Sequence, residues 1–240
     1  MLKRTLFLII LMLPLLQKLD AQLYLTAYND LGRNNVSEGM IARAAMSTGY
    51  QAGKSRFAYG NQFNLKNHNH IVFSGAYLNI SRAFELKGIS WRASALFMYN
   101  LISRHIHETN WGVAVNSDTK HFRYMLGTNF RTSHLTMKVT EDYGINSNTK
   151  LREKWNLMYL VSYYLKTLEH KWNTGVVLTN ADNFQISQDT NPMVALKAQY
   201  RLKAPLTFFA ESWYKQAGVF NISADSFGFY FRTGMQWELF

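Results

Sequence analysis

The stretch from Phe227 to the C-terminal Phe240 alternates apolar and polar side chains, and it constrains the fold more than any other feature. One set of alternate residues is aromatic or apolar: Phe227, Phe229, Phe231, Thr233, Met235, Trp237 and Leu239. The intervening set is small or polar: Ser226, Gly228, Tyr230, Arg232, Gly234, Gln236 and Glu238. A period of two is the signature of a β-strand with one apolar face.

The rest of the chain repeats this pattern at strand length, and no helical pattern supplies a layer that could cover the apolar faces. We therefore interpret these faces as lipid-facing. Hydrocarbon cannot satisfy backbone N–H and C=O groups, so a spanning sheet must close on itself. The predicted fold is all-β, a transmembrane antiparallel up-and-down β-barrel. A soluble β-sandwich is the alternative, although it is expected to contain fewer aromatic residues than the 15% found here.

The N-terminus has the layout of a secretory signal peptide. Lys3 and Arg4 precede an apolar run over 6–16, and a polar region ends at Ala21. This order of charged, apolar and small residues predicts cleavage after Ala21. A retained membrane anchor is the alternative, because Leu19 is unfavourable three positions before the cut. The predicted organisation is a signal peptide over 1–21 and one barrel domain over 22–240.

The signal peptide, the alternating strands and the terminal aromatic Phe240 together resemble outer-membrane β-barrel proteins of Gram-negative bacteria. The resemblance covers the whole chain at the level of architecture. It implies location in the cell outer membrane, contact with membrane lipid and lipopolysaccharide, and recognition of the C-terminal strand ending at Phe240 by the barrel-insertion machinery. We take the chain as a monomer by default.

Charge and cysteine content narrow the range of partners. Without the leader residues Lys3, Arg4, Lys18 and Asp20, the 26 basic and 15 acidic residues become 23 and 14, a net charge of +9. A basic balance suits nucleic acid or phosphorylated lipid, and the export signal favours lipid, so we expect no nucleic-acid partner. The chain has no cysteine, which excludes disulfides, thiolate metal sites and cysteine nucleophiles.

The pattern predicts twelve strands within one domain. They lie at 22–30, 40–51, 56–66, 71–83, 90–104, 110–116, 121–131, 153–165, 171–180, 193–202, 206–216 and 226–238. Short and long connections then alternate, as expected for periplasmic turns and outer loops. Ten strands remain the alternative, if 22–30 runs outside the sheet and 110–116 joins its neighbour.

The inward phase of these strands is rich in basic residues. The predicted lumenal cations are Arg43, Arg92, Arg123, Arg131, Lys197, Lys215 and Arg232, with Arg56, Lys154, Lys171 and Arg201 at strand ends. The acids expected beside them are chiefly Glu211 and Glu238. A basic lumen raises the local concentration of anions, which suggests a narrow anion-preferring pore. The alternative is that these side chains simply fill the interior of a small barrel.

A lipid-modifying acyl hydrolase is a further possibility, because some barrels of this size resemble such enzymes. Acyl transfer needs a nucleophile and a base in contact, and Ser133 with His134 is the nearest match in the chain. The hydrolase signatures place the His first and the Ser two residues on, so this sequence departs from them. We expect no catalytic site.

Two histidine pairs have the spacing of metal ligands on a strand. They are His68 with His70 and His105 with His107, and residues i and i+2 share one face of a strand. Each pair lacks an assured third ligand, so we predict neither a bound metal nor another cofactor.

The function predicted from sequence is therefore coarse. The first hypothesis is a barrel that passes anionic solutes or contacts lipopolysaccharide, and the second is a non-conducting partner-binding scaffold at the cell surface. The longest outer connection, 132–152, could fold into the lumen as a plug or reach a partner.

Overall fold

The computed structural model describes residues 21–34, 40–65, 72–136, 148–167, 169–187, 191–202, 205–215 and 227–239. These residues form one closed antiparallel β-barrel of twelve strands, in which each strand pairs with its neighbours in sequence and the last pairs with the first. The predicted fold class and strand count are confirmed. The strands are β1 (Ala21–Asn34), β2 (Met40–Ala52), β3 (Ser55–Asn64), β4 (Phe73–Leu86), β5 (Ile89–Ser103), β6 (Ile106–Asp118), β7 (Phe122–Leu135), β8 (Thr149–Tyr164), β9 (Trp172–Thr179), β10 (Met193–Arg201), β11 (Leu206–Lys215) and β12 (Phe227–Glu238).

The alternation read from the C-terminal stretch decides which side chains face outward. In β12, Phe229, Phe231, Met235 and Trp237 are exposed on the outer face, whereas Tyr230 and Arg232 are buried inside. The same two-residue period continues around the wall, because successive side chains of a strand point to opposite faces. The outer face is therefore mainly apolar between the two ends of the barrel. No helix among the described residues has the length and hydropathy of a membrane span.

The two ends of the barrel differ in their connections. The first three connections at one end are tight turns at 53–54, 87–88 and 119–121, and Gly53, Lys87 and Gly88 adopt positive φ there. We call this the turn end, and it also carries 165–171 and 202–205. The opposite, loop end carries 35–39, 65–72, 104–105, 136–148, 180–192 and 216–226. Bacterial barrels keep short turns in the periplasm, so we expect the loop end to face the cell exterior.

Four strands extend further at the loop end than the sequence pattern predicted. β1 continues to Asn34, β6 begins at Ile106, β7 continues to Leu135 and β8 begins at Thr149. The extension shortens the predicted connection 132–152 to 136–148, and residues 137–147 of it lie outside the described residues. A bulge opposite Asn129 and Arg131 interrupts the pairing of β7 with β8, and Trp155 in this part of β8 has a positive φ of 61°.

The buried core lies inside the barrel. One apolar cluster joins Leu96, Met98, Ala114 and Met158 from the wall to Ala181 and Ile186. A second comprises Val177, Met193, Ala195, Trp213 and Tyr230, and a third joins Tyr28 and Ala45 to Phe184. Residues 181, 184 and 186 belong to the connection after β9, so this connection enters the lumen and packs against its wall.

Candidate functional site

The closing seam of the barrel carries a row of alternating charges on the inner face. Lys197, Glu211, Arg232, Asp30 and Arg43 are neighbours in register on β10, β11, β12, β1 and β2. Lys197 Nζ lies 3.0 Å from Glu211 Oε1. Arg232 donates from Nε to Asp30 Oδ1 at 2.7 Å and from Nη2 to Asp30 Oδ2 at 3.0 Å. The row therefore stabilises the contact between the first and last strands.

Arg232 is buried to 4% exposure and is also held by aromatic rings. Its Cζ lies 4.1 Å from the centroid of Tyr28 and 5.4 Å from that of Tyr230. A cation over an aromatic face is attracted to the ring quadrupole. Gly234 makes room for this arrangement, since a Cβ at that position would lie 2.5 Å from the Cβ of Tyr28 and 2.6 Å from Phe209.

The segment 181–187 crosses the lumen and is anchored to the seam by Asp182. Arg232 Nη1 donates to Asp182 Oδ1 at 3.0 Å and Nη2 donates to Asp182 Oδ2 at 2.7 Å. The hydroxyl of Tyr230 donates to the same carboxylate at 3.3 Å. Charge-assisted bidentate pairs of this kind are strong and directional, so they fix the position of the segment.

The far end of the same segment is attached to the opposite wall. Arg131 donates through Nη2 to the carbonyl of Ile186, and its other nitrogens lie 3.5 Å from Glu108 Oε2 and 3.4 Å from Glu153 Oε2. Asn110 donates to Glu108 Oε1 at 2.6 Å. This wall thus carries a network of one arginine, two carboxylates and amides, and only Glu153 in it is partly exposed.

The middle of the segment is apolar. Phe184 packs edge-on against Tyr77, with ring centroids 4.9 Å apart, and it contacts the cluster of Tyr28 and Ala45. The segment also supports its own turn, because Asp182 N–H donates to the Gln185 carbonyl at 2.7 Å and Ser187 N–H donates to the Asn180 carbonyl at 2.6 Å. The segment 181–187 is therefore a folded constriction inside the barrel.

The turn end of the lumen is more basic than the middle. Arg56 lies over the ring of Tyr24, with Cζ 5.3 Å from the centroid, and Arg92 Nη1 donates to Ser81 Oγ at 3.4 Å. Arg123 joins them but pairs with Asp118 at 2.7 Å. Arg56 is close enough to Arg92 and to Arg123 for each of them to repel it electrostatically.

The seven cations predicted to be lumenal within the strands all lie in the inward phase. Arg43, Arg131, Lys215 and Arg232 are buried, Lys197 is largely buried, Arg92 is partly exposed and Arg123 is exposed at the turn end. Arg43 is bonded to Gln62, with Nη1 3.1 Å from Oε1. The structure adds acids that the sequence interpretation did not name, namely Asp30, Glu108, Glu153 and Asp182. The middle of the lumen is consequently a set of paired charges and not a basic surface.

Ser133 and His134 do not meet. Ser133 faces inward and is buried, whereas His134 faces outward, with its ring stacked on His107 at 4.4 Å between centroids. They lie within β7 and not in a loop, and adjacent residues of a strand point to opposite sides. His134 is therefore not placed to act as a general base for Ser133.

The histidine pairs do not form a metal centre within the described part of the chain. His105 Nδ1 lies 3.0 Å from Thr136 Oγ1, and His107 stacks on His134. His68 and His70 lie outside the described residues. Among the residues that are described, no group of three or more His, Cys, Asp or Glu side chains could hold a metal ion.

Comparisons with known proteins identify the fold. The NanC porin is 10% identical to this chain, with a TM-score of 0.52, and the match covers 90% of this chain and all of the porin. The translocator domain of the autotransporter NalP from Neisseria meningitidis is 12% identical over 98% of this chain and 97% of that domain, with a TM-score of 0.44. No protein-family model matches the chain, and no curated protein matches it. The match to the porin, with the closed twelve-stranded barrel, shows that the chain has the fold of outer-membrane β-barrels.

Proposed function

We propose that this chain is a narrow outer-membrane channel for small anionic solutes, restricted inside by the segment 181–187. The porin-like fold supports a pore or barrel role in general. The specific proposal depends on one observation, which is that Arg56 and Arg92 at the turn end contact a tyrosine ring and a serine hydroxyl instead of carboxylates.

The two kinds of lumenal arginine differ in what they can offer a solute. Arg131 and Arg232 already form ion pairs with buried carboxylates, so an incoming anion would compete with a fixed charge. Arg56 on β3 and Arg92 on β5 flank Ser81 on β4. Ser81 is the register partner of Arg56, and its Oγ accepts a hydrogen bond from Arg92. Cations that line a pore with low-dielectric walls raise the local anion concentration.

Reversal potentials in planar bilayers under a salt gradient test this proposal. The wild type should prefer anions, and Arg56→Gln with Arg92→Gln should reduce that preference. The matched control is Arg82→Gln with Lys150→Gln, which removes the same charge from the outer face. An unchanged anion preference in the lumenal variant, or a cation preference in the wild type, would overturn the proposal.

A non-conducting scaffold is the second candidate, and the position of 181–187 favours it. The segment is bonded to both walls, and the side chains of Phe184 and Ile186 are buried between them. A wild-type barrel that inserts into bilayers but carries no current would support the scaffold and exclude the channel.

Location and assembly belong to the same proposal. The outward apolar faces suit contact with outer-membrane lipid, and the C-terminal strand ending at Phe240 is the expected signal for the insertion machinery. β12 pairs with β1 as far as Glu238 and with β11 as far as Trp237, so it is the strand that completes the barrel. Phe240 itself lies outside the described residues.

A further inference from the structure

The loop ends of β6, β7 and β8 carry a group of basic side chains on the outer face of the barrel. We call His107, His134, Lys150 and Arg152 the outer-rim cluster. His107 pairs in register with His134, and His134 pairs with Lys150, so these three lie side by side on adjacent strands. Arg152, two residues along β8, shares the face of Lys150. Lys150 and Arg152 are both exposed.

Acidic side chains of the same strands turn the other way. Glu108 follows His107 and Glu153 follows Arg152, and both point into the lumen, where they lie within 3.5 Å of Arg131. On these strands the carboxylates therefore face the lumen, and the cations of the outer-rim cluster face outward. The outer face here has a positive charge that its nearest acids do not neutralise.

An apolar groove lies directly below this cluster on the same outer face. It has a volume of about 410 Å³, and the residues that line it include Trp111, Phe130, Trp155, Ala95 and Val113. Trp111 and Val113 follow His107 on the outward phase of β6, so the groove runs from the cluster towards the middle of the barrel. Phe130 and Trp155 contact each other with ring centroids 4.8 Å apart.

The height of the cluster matches a lipid headgroup. A spanning strand needs about 9–11 residues, and the extra length of β6, β7 and β8 projects at the loop end. Tryptophan at the level below is typical of the membrane interface. A ligand complementary to this surface needs phosphate groups at the headgroup level and an acyl chain beneath them.

We propose that the outer-rim cluster and the groove beneath it bind the phosphorylated, acylated glycolipid of the outer leaflet, lipid A. Its phosphates contact Lys150, Arg152 and the paired histidines, and one acyl chain lies along the groove between Trp111 and Trp155. Tight phosphate binding by clustered cations and apolar burial of a chain are independent contributions. The site is on the outside of the barrel, so it does not depend on whether the lumen conducts.

Native mass spectrometry of the detergent-purified barrel tests the site directly. Lipid A with two phosphates, lipid A with its phosphates removed, and phosphatidylglycerol are titrated in turn. We expect the wild type to bind bisphosphorylated lipid A most tightly, and Lys150→Glu with Arg152→Glu to weaken it about tenfold or more, given the usual contribution of each surface cation. The same variant should bind the dephosphorylated lipid as the wild type does.

Two further variants separate the parts of the site. Ala95→Phe fills the groove without changing charge and should weaken both forms of lipid A. Lys54→Glu with Lys87→Glu makes an equal change of net charge in the turns at the other end, and it should leave binding unchanged. Retention of the heat-dependent electrophoretic shift of a folded barrel confirms that each variant has folded.

Three results would overturn the proposal. One is equal lipid A affinity in the wild type and the Lys150→Glu, Arg152→Glu variant. Another is tighter binding of phosphatidylglycerol than of lipid A. The third is a dimer of the lipid-free chain that the same two substitutions dissociate, because the surface would then be an interface between copies.

Discussion

Arg232 interacts with carboxylates from two strands and one loop. Its guanidinium pairs with Asp30 and Asp182, and Glu211 lies 3.7 Å away. Replacing one member of a buried ion network leaves the remaining charges buried without a counterion. This costs more stability than replacing the whole network with apolar side chains. Arg232→Met should therefore lower the free energy of unfolding by about 3–5 kcal/mol, measured by urea titration in lipid vesicles.

Arg33→Met is the matched control for this substitution. Arg33 lies on β1 and is exposed, so we expect a change within about 0.5 kcal/mol. Equal effects of the two substitutions would show that the Arg232 network does not stabilise the folded barrel.

The candidate site was only partly predictable at the level of residues. The inward phase correctly placed Arg43, Arg131 and Arg232 on the lumenal face, because a period of two fixes the side of every residue in a strand. Asp30 and Glu108 have the same phase as their neighbours, but they fell at or beyond the predicted strand ends and were not counted as lumenal. Asp182 follows no period, so only the path of the chain brings it to Arg232.

The segment 181–187 is the element whose position the sequence did not reveal. The sequence leaves two roles open for the longest predicted connection, 132–152, a plug in the lumen or contact with a partner, and residues 137–147 of it lie outside the described residues. The described structure shows the shorter connection after β9 inside the lumen, held by tertiary contacts to Arg232 and Arg131. Such contacts join residues about 50 positions apart, and no local pattern records them.

Loosening this segment should open the barrel. Asp182→Asn with Phe184→Gly removes the ion pair to Arg232 and the ring that packs on Tyr77, so we expect single-channel conductance to rise about twofold or more as the lumen widens. Bilayer recordings measure it.

Asn183→Ser is the control from within the segment. The side chain of Asn183 is exposed, and serine keeps the backbone N–H that donates to Asp182 at 2.7 Å. Identical currents from the double variant and the wild type would mean that the constriction lies elsewhere.

Strand positions, in contrast, followed from the sequence almost completely. All twelve strands appear where the alternation placed them, and the main differences are the extended loop ends of β1, β6, β7 and β8. Those extensions contain His107, His134 and Lys150 on the outer face, where polar residues replace the apolar phase. The alternation of apolar and polar residues ends where the outward side chains leave the hydrocarbon layer of the membrane, although the strand itself continues.

The outer surface of the whole barrel allows a test that distinguishes a membrane barrel from a soluble one. Leu196 and Leu86 both point outward and are similarly exposed, at 61% and 57%. Leu196 lies within the short strand β10, and Leu86 ends β4 at the turn end. Arginine at the middle of a bilayer costs about 2–4 kcal/mol and near the interface about 0–1 kcal/mol, so Leu196→Arg should destabilise far more than Leu86→Arg in vesicles.

Urea unfolding in lipid vesicles measures both variants under one set of conditions. In a soluble protein two equally exposed leucines would respond alike, because no depth distinguishes them. Equal changes in the free energy of unfolding would therefore contradict a lipid-facing outer surface.

The ion pair across the closing seam has a consequence for biogenesis. Asp30 and Arg232 are 202 positions apart, so one is synthesised near the start of the barrel and the other near its end. Until β12 is in place, the carboxylates of Asp30, Asp182 and Glu211 lack the guanidinium that all three approach in the folded barrel. A chain that ended before β12 would keep Lys197 beside Glu211 but would lose the salt bridges of Asp30 and Asp182 to Arg232, so we expect its lumen to be less stably packed.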